Sequence, residues 1–304
     1  MLSVIVPATH SPATLELCLE TIRASIPLRA ELLVQTTPAG AGPAVARNLA
    51  AGRARGEILV FVDSDVLVAP DALGRIARRF QNNPDLTALL GSYDDAPGAD
   101  DAVSQFRNLL HHHVHVSSAG PVRSFWTGLG AVRREAFEEA GGFDAERYPD
   151  PAIEDIELGC RLADGGARIE LDPTIRGKHL KAWTVRSMVA TDFARRGVPW
   201  TRLQLERRRR ARGLSMSAAQ LSGALAASGM VVAAARRRPR LAAGFAAVMA
   251  ASNAPLYRLL ARAGGPGLVA AGVPLQALHH LTAVASVPAG AAAHLASRQF
   301  GAPR

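Results

Sequence analysis

Four short apolar runs alternate with helical segments over residues 2–91, and this alternation restricts the fold more than any other feature. The apolar runs are Leu2–Val6, Ala30–Thr36, Ile58–Val62 and Leu86–Gly91. Apolar residues at helical spacing fill the intervals Ser11–Ser25, Pro43–Arg55 and Pro70–Asn82. Short runs without polar alternation are typical of strands that are covered on both faces. The order predicts an α/β fold with a Rossmann-like, mostly parallel central sheet and flanking helices.

The net charge of the chain changes sign along the sequence. Of the 304 residues, 35 are Lys or Arg and 26 are Asp or Glu, which gives a net charge of +9. No acidic residue follows Glu206, and the 98 residues from Arg207 to Arg304 contain 13 arginines. Residues 1–206 therefore hold 22 basic and 26 acidic side chains, a net charge of −4. The split argues against a nucleic-acid-binding protein and predicts two domains, 1–206 and 207–304.

The basic C-terminal part contains long uncharged stretches. Leu214–Ala235 has 22 residues, Leu241–Tyr257 has 17 and Ala263–Ser297 has 35. Because a spanning helix needs about 20 largely apolar residues, these lengths allow two or three transmembrane helices. We therefore predict an α-helical, transmembrane anchor in 207–304, with an Ala-rich soluble helical domain as the alternative.

Two arginine clusters flank the first uncharged stretch. Arg207–Arg210 suits the anionic surface of a cytoplasmic leaflet. If Leu214–Ala235 spans the membrane, Arg236–Arg238 lies on the opposite side, against the usual charge bias. A re-entrant or interfacial segment would avoid this conflict, and the sequence does not decide between the two arrangements.

Asp63-Ser64-Asp65 directly follows the third apolar run. In α/β sheets, ligands bind at the carboxyl ends of the strands. Two carboxylates at alternate positions can hold a divalent cation, and such a cation can bridge a diphosphate. The alternative is a solvated turn that caps a helix.

A second acidic cluster begins the helical segment Glu154–Gly165, with carboxylates at Glu154, Asp155 and Glu157. Acidic residues in a first helical turn are favourable for the helix dipole alone. The functional interpretation is a general base, which removes the proton of a hydroxyl group as that group attacks.

Together the two clusters resemble family-2 glycosyltransferases of the GT-A fold. The resemblance covers residues 1 to about 200 and is carried by the segments Ser3–Pro7, Gly42–Asn48, Phe61–Asp65, Gly141–Asp144 and Glu154–Leu162. It implies that Pro7 and Arg47 hold the nucleotide or its phosphates and that Asp63 faces the nucleotide. It further implies that Asp65 binds Mg²⁺ or Mn²⁺ and that Asp155 is the base of an inverting displacement.

The only lysines, Lys178 and Lys181, flank His179 in a chain that otherwise uses arginine. We expect His179 to complete the metal site and Lys181 to neutralise charge on the diphosphate. The alternative for His179 is a hydrogen-bonded structural histidine. The histidines of His111–His115 are interpreted as a polar loop or helix face on the acceptor side, because no carboxylate accompanies them at a metal-ligand spacing.

Two departures from the family pattern bear on the substrate. Gln35-Thr36-Thr37 stands where similar proteins carry an acidic residue for the base and ribose. The segment Arg195–Trp200 lacks the glutamine of the Gln-x-x-Arg-Trp motif found in processive members, which favours transfer of a single sugar.

The sequence therefore predicts an inverting, metal-dependent glycosyltransferase on the cytoplasmic face of a bacterial inner membrane. It would move one sugar from a nucleotide-sugar, with a UDP-sugar as the expected donor, to a lipid or cell-envelope saccharide. One alternative is a catalytically inactive, nucleotide-sugar-binding membrane scaffold, which the Gln35 departure favours. The other is a nucleotidyltransferase, which would need a Gly-rich basic loop where Pro7-Ala8-Thr9-His10 stands.

Overall fold

The computed structural model describes residues 1–10, 12–207 and 217–299. These residues form two compact units. The first consists of Met1–Ala99 and His111–Lys181, and the second of Asp100–Leu110 and the described part of Ala182–Arg304. The functional boundary at residue 206 stays a prediction. The predicted helix start at Ser11, the arginines 208–210 and residues 214–216 of the first uncharged stretch lie outside the described residues.

A single sheet of eight strands forms the centre of the first unit. The strands are β1 (Leu2–Pro7), β2 (Ala30–Gln35), β3 (Ile58–Val62), β4 (Val66–Val68), β5 (Leu86–Tyr93), β6 (Gly120–Val122), β7 (Leu129–Arg133) and β8 (Arg168–His179). Their order is β2-β1-β3-β7-β5-β8-β4, and β6 pairs with β8. β1 is parallel to β2 and β3, and β5 is parallel to β8. β7 runs antiparallel between β3 and β5.

The predicted α/β fold is confirmed. All four apolar runs form strands, and β1, β2, β3 and β5 run in one direction, as predicted. The sheet is nevertheless mixed, because β7 separates β3 from β5, and β4 and β6 run against β8. The antiparallel position of β7 between β3 and β5 does not follow from the four apolar runs, since strand partners are chosen by non-local packing.

Helices cover both faces of this sheet. In chain order they are α1 (Leu15–Ser25), α2 (Pro43–Ala51), α3 (Ala72–Asn82), α5 (Arg134–Glu139) and α6 (Glu154–Asp164), while the intervening helix α4 (Ala102–Ser117) has residues in both units. Side chains alternate along β3: Val60 packs in the core with α1 and α3, and Phe61 packs in the core with α2 and α6. This alternation follows from the two-residue period of a strand, and it explains why β3 is apolar at every position.

The second unit is helical. It contains α7 (Val185–Ala190), a π-helical turn (Thr191–Gly197), α8 (Val198–Glu206), α9 (Ala218–Ala235), α10 (Pro239–Ser252) and α11 (Ala254–Gln299), which is broken at Gly264–Gly265. A buried charge cluster joins three of its segments. Arg107 donates to Asp192, and the Nδ1 atom of His279 lies 2.7 Å from the other Asp192 oxygen. These groups lose their solvation on burial, and the ion pair with Arg107 together with the hydrogen bond to His279 offsets that loss for Asp192.

Two helices in the described part of the chain are long and apolar enough to cross a membrane, α9 and the stretch Ala254–Ser297 of α11. Within the 18-residue apolar stretch of each helix, only 28% of α9 and 39% of α11 is buried. A core helix of a soluble protein would be mostly buried, so this exposure weighs against the Ala-rich soluble alternative. The predicted stretch Leu241–Tyr257 is not one helix, because Asn253 ends α10 before α11 begins.

Candidate active site

The turn after β3 lies beside the segment that leads into β7. Val62 pairs with Leu129, and the Asp63 N–H donates to the Gly128 carbonyl at 3.3 Å. The Val66 N–H donates to the Asp63 carbonyl at 3.0 Å, which closes the Asp63-Ser64-Asp65 segment into a tight turn. The side chains of Asp63 and Asp65 are each 31% exposed. Both carboxylates are therefore accessible at the carboxyl end of β3.

Arg47, on α2, connects the two acidic clusters. One terminal nitrogen donates to Asp63 Oδ1 at 2.7 Å, and the other donates to Glu154 Oε1 at 2.9 Å. Burial lowers the pKa of Arg47, but the charges of Asp63 and Glu154 raise it more, so the pKa lies above its ordinary value. The guanidinium also lies 5.6 Å from the centre of the Phe143 ring. A charge buried this deeply is retained because two carboxylates compensate it.

The N-terminus of α6 lies against the segment before β7. A Cβ at Gly159 would lie 2.1 Å from the Phe125 amide nitrogen, so only glycine permits this approach. The contact brings Asp155 to Thr127, whose N–H and hydroxyl donate to Asp155 Oδ2 at 3.3 and 3.4 Å. The Ile156 N–H donates to the other carboxylate oxygen at 2.8 Å. The carboxylate of Asp155 is therefore held in one orientation by neighbouring backbone and side-chain donors.

The electrostatic surroundings of Asp155 suit a proton acceptor. Burial, followed by the charge of Glu154, raises the pKa of Asp155 to about 7, and the charge of Arg47 offsets part of this rise. A general base is most effective when its pKa lies near the working pH. The same carboxyl at its ordinary pKa of about 4 would be a much weaker base.

Asp65 and His179 face each other across the sheet edge. His179 ends β8, which pairs with β4 at Val66, and its Nε2 atom lies 3.4 Å from Asp65 Oδ2. Burial raises the pKa of Asp65, but the hydrogen bond from His179 and the charges of His179 and Lys181 lower it below its ordinary value. The predicted metal ligands are thus adjacent, and Lys181 is close enough to act on Asp65.

An aromatic cluster surrounds His179, and the sequence did not indicate it. The Tyr93 ring stacks on the His179 imidazole, with centres 4.2 Å apart and planes at 7°. Trp126 meets the Tyr93 ring edge-on at 4.8 Å, and the His115 ring lies 4.4 Å from Trp126. Because Trp126 directly precedes Thr127, the cluster extends from the predicted metal ligands to the segment that holds Asp155. The one available signal was the position of Tyr93 at the carboxyl end of an apolar run.

The histidine tract lies on α4, in agreement with its interpretation as a helix face. His112 is buried, and its Nδ1 atom lies 2.7 Å from the Tyr93 carbonyl oxygen. His111 and His115, four residues apart, both lie 5.8 Å from the Tyr93 ring. Within residues 1–10, 12–207 and 217–299, no group of three or more His, Cys, Asp or Glu side chains is arranged to hold a metal ion. The role of the tract on the acceptor side stays a prediction.

The ends of β1 and β2 form the other part of this sheet edge. Pro7 pairs with Gln35, and the Ala8 N–H donates to the Gln35 carbonyl at 2.8 Å. The Gln35 side chain is buried, accepts a hydrogen bond from Arg53 and donates to the Thr37 carbonyl. Gln35 is therefore fixed by its own neighbours, and its amide is not directed into solvent.

A shallow cavity of about 460 Å³ lies elsewhere in the first unit, along residues 141–146 and beside Glu157 and Arg161. Arg161 donates to the Glu157 carboxylate and to the carbonyls of Ala140 and Gly142. None of the predicted site residues lines this cavity. Glu157, the third carboxylate of its cluster, thus has a structural partner and is separate from the chemistry of Asp155.

A family model for glycosyl transferase family 21 matches residues 10–285. The chain belongs to glycosyltransferase family 21. The sequence-based prediction of a glycosyltransferase is confirmed, although the matching family is 21 and not family 2, which the motifs resemble. Family membership weighs against the nucleotidyltransferase alternative. A search of the curated proteins finds no match.

Three solved structures are similar to this family-21 glycosyltransferase. A mannosyltransferase from Pyrobaculum calidifontis, solved with GDP-Man and Mn²⁺, is 20% identical, with a TM-score of 0.52, and the alignment covers 97% of this chain and 86% of that one. The S. aureus protein TarS 1-349 is 15% identical, with a TM-score of 0.45, and the alignment covers 100% of this chain and 93% of that one. GalNAc-T7, solved with UDP, GalNAc and Mn²⁺, is 15% identical with a TM-score of 0.45, and 60% and 43% of the two chains are covered.

Proposed function

We propose that this family-21 enzyme is an inverting glycosyltransferase that uses Asp155 as its base. The observation that carries the proposal is the position of Asp155. Thr127 holds its carboxylate, its pKa is raised to about 7, and Thr127 and Gly128 place it next to the Asp63 turn. A base beside a diphosphate-binding edge is the arrangement that direct displacement at a sugar carbon requires.

The displacement forms one bond and breaks one bond at the anomeric carbon, and it transfers one proton. The acceptor hydroxyl oxygen attacks the anomeric carbon from the face opposite the diphosphate, and its proton passes to Asp155. The bond between the anomeric carbon and the phosphate oxygen breaks, and its electron pair leaves with the nucleoside diphosphate. Because attack and departure occur on opposite faces, the anomeric configuration inverts.

Asp65 and His179 fit a divalent cation such as Mg²⁺ or Mn²⁺. A carboxylate with lowered pKa and a neighbouring imidazole nitrogen supply two ligands, and diphosphate oxygens and water would complete the set. When bound, the cation would stabilise the negative charge of the leaving diphosphate. Lys181 lies near enough to Asp65 to lower its pKa, and we assign it to the same diphosphate charge. The Mn²⁺ in the mannosyltransferase structure supports this choice of cation.

Two residues of the sheet edge are assigned to the donor nucleotide. Pro7 ends β1 at the carboxyl edge, where nucleotides bind in α/β sheets. Asp63 is assigned to the nucleotide as well, held in place by Arg47. Arg47 itself is buried between two carboxylates, so its contribution is to orient Asp63 and Glu154. A UDP-sugar remains the proposed donor, and the GDP-Man of the mannosyltransferase structure makes GDP-sugars the first competitors to test.

The acceptor is proposed to be a lipid or cell-envelope saccharide at the cytoplasmic face of a bacterial inner membrane. Two apolar, largely exposed helices support membrane attachment. An enzyme attached in this way meets acceptors that are themselves confined to the membrane. Transfer of one sugar agrees with the missing glutamine in Arg195–Trp200.

Transfer from a panel of UDP- and GDP-sugars to detergent-dispersed membrane lipids tests the proposal, with Mn²⁺ present or removed by a chelator. We expect one donor to give a glycosylated lipid only in the presence of the cation, with inverted anomeric configuration by NMR. Retention of configuration, or unchanged activity in chelator, would contradict the proposal. Donor binding without any transfer to the lipids or to envelope saccharides would favour the inactive scaffold.

A further inference from the structure

The helices α9 and α10 form an antiparallel hairpin whose turn is Arg236–Arg238. Near the open end, the Ser222 and Ser252 hydroxyls lie 2.9 Å apart. Midway along the hairpin, Phe245 packs on Gly229, where a Cβ would lie 2.7 Å from the ring. All three arginines of this connection are exposed to solvent. Arg240 follows them at the start of α10.

The conformation of Arg237 is unusual for an arginine. Its φ is 54°, in the left-handed region, and it follows the last residues of α9. The Arg238 N–H donates to the Ala233 carbonyl and the Arg237 N–H to the Ala234 carbonyl, each at 2.9 Å. This is the bonding pattern that normally ends a helix with glycine at the left-handed position, because glycine adopts it at lower cost. An arginine here therefore adopts the helix-ending conformation at a backbone cost that glycine would avoid.

The sides of the hairpin are apolar and exposed. The exposed large side chains are Leu221, Leu225, Val231 and Val232 on α9 and Leu241, Phe245 and Val248 on α10. On α10, positions 241, 245 and 248 follow helical spacing and form one stripe. Apolar sides of this kind, which end in a cluster of arginines, match a bilayer in which acyl chains lie beside phosphate headgroups. A nucleic acid or an acidic protein would meet the arginines but would leave the apolar sides in water.

No acidic residue follows Glu206, so the positive charge of the turn is not balanced within 207–304. We propose that the turn Arg236–Arg238 binds anionic phospholipid headgroups while the sides of α9 and α10 contact acyl chains. The proposal rests on the membrane attachment in the proposed function and assigns the lipid preference to one turn. Arg236–Arg238 then needs no cytoplasmic location, since either leaflet surface supplies phosphates for it.

Vesicle flotation of the full chain, diluted out of detergent, tests the assignment. The vesicles contain phosphatidylcholine alone or an equal mixture of phosphatidylcholine and phosphatidylglycerol. We expect the wild type to prefer the mixture and the triple variant Arg236→Gln, Arg237→Gln, Arg238→Gln to lose that preference, by on the order of 100-fold in partitioning. The corresponding triple lysine variant should keep the preference, because it retains the charge.

A matched control removes three exposed arginines from the first unit, as Arg29→Gln, Arg78→Gln and Arg176→Gln. We expect this control to float like the wild type. The proposal is overturned if the turn variant keeps the wild-type preference, or if the control loses as much as the turn variant does. Failure of the wild type to float with either vesicle would instead overturn membrane attachment itself. Circular dichroism of each variant establishes that the helices are intact.

Discussion

Arg47 and Glu154 form a buried ion pair, 2.9 Å apart, between side chains that are 107 positions apart in the sequence. The pair fixes the start of α6 relative to α2, and the same arginine bonds Asp63. The turn that we propose to bind the donor and the helix that carries the proposed base are therefore connected through one guanidinium. The pKa of Asp155 depends on both members of the pair, because Glu154 raises it and Arg47 lowers it.

Replacing Glu154 with glutamine should make Asp155 more acidic. The amide keeps the size of the side chain but removes the negative charge that raises the pKa of Asp155. We expect the acid limb of the rate profile to move to lower pH, and the change is read from kcat/KM measured as a function of pH. Glu157→Gln is the matched control, since the charge of Glu157 is paired with that of Arg161. An unchanged acid limb in Glu154→Gln would show that the carboxylate does not act on the base.

Replacing Asp155 with asparagine should stabilise the fold at alkaline pH. In the unfolded chain this carboxyl loses its proton near pH 4, whereas in the folded protein its pKa is about 7. Folding is therefore penalised progressively as the pH rises from about 4 to about 7, and the full penalty applies above pH 7. We expect Asp155→Asn to be more stable than the wild type at pH 8 by roughly 1–2 kcal/mol and to lose this advantage near pH 4. Thermal melts at both pH values measure it, and equal melting temperatures at pH 8 would argue that Asp155 is not buried as a charged group.

Removing either member of the Asp65–His179 pair should weaken Mn²⁺ binding. Asp65→Asn and His179→Gln each remove one of two adjacent ligands, so we expect a loss of about 10- to 100-fold in affinity. Titration followed by the electron spin resonance of free Mn²⁺ gives the affinity in the presence of nucleoside diphosphate. Asp95→Asn, on an exposed neighbouring segment, provides the control and should bind as the wild type does. If both site variants bound Mn²⁺ normally, the cation would have to lie elsewhere.

Much of the fold follows from local pattern, and the candidate site follows in part. β1, β2 and β3 lie within one residue of their expected bounds, because their largely apolar runs end in proline, polar residues or aspartates. Asp63 and Asp65 were recognisable for the same reason, since they stand where the third run ends. The sequence did not distinguish a loop from a helix for the histidine tract, because the histidines and asparagine of α4 conceal the apolar spacing around Phe106 and Leu110.

Other features depend on contacts that no local pattern contains. β8 continues from Arg168 to His179, because pairing with β5 and then β4 carries it past Pro173. The same pairing places His179 on Tyr93, a contact across 86 positions that sequence spacing does not reveal. Arg47 was expected to contact the donor. Its burial between Asp63 and Glu154 results from tertiary packing, which the sequence around Arg47 does not indicate.

The stacked Tyr93 should position His179 for metal binding. Tyr93→Leu removes the ring that lies parallel to the imidazole, so His179 gains rotational freedom and Mn²⁺ affinity should fall about tenfold. Tyr93→Phe keeps the ring and should bind Mn²⁺ as the wild type does. The imidazole signals of His179 in NMR spectra should broaden or shift in the leucine variant only. Equal Mn²⁺ affinity in all three proteins would indicate that Tyr93 packs in the core but does not position His179.

The central claim is that Asp155 removes the proton of the acceptor, and the pH dependence of kcat/KM for the wild type and Asp155→Asn tests it most directly. We predict that the wild-type value falls about tenfold per pH unit below an apparent pKa near 7. Asp155→Asn should lose roughly 100- to 10,000-fold and show no such acid limb, while it still binds the donor nucleotide. An asparagine variant that keeps wild-type kcat/KM, or that keeps the same acid limb, would contradict the account.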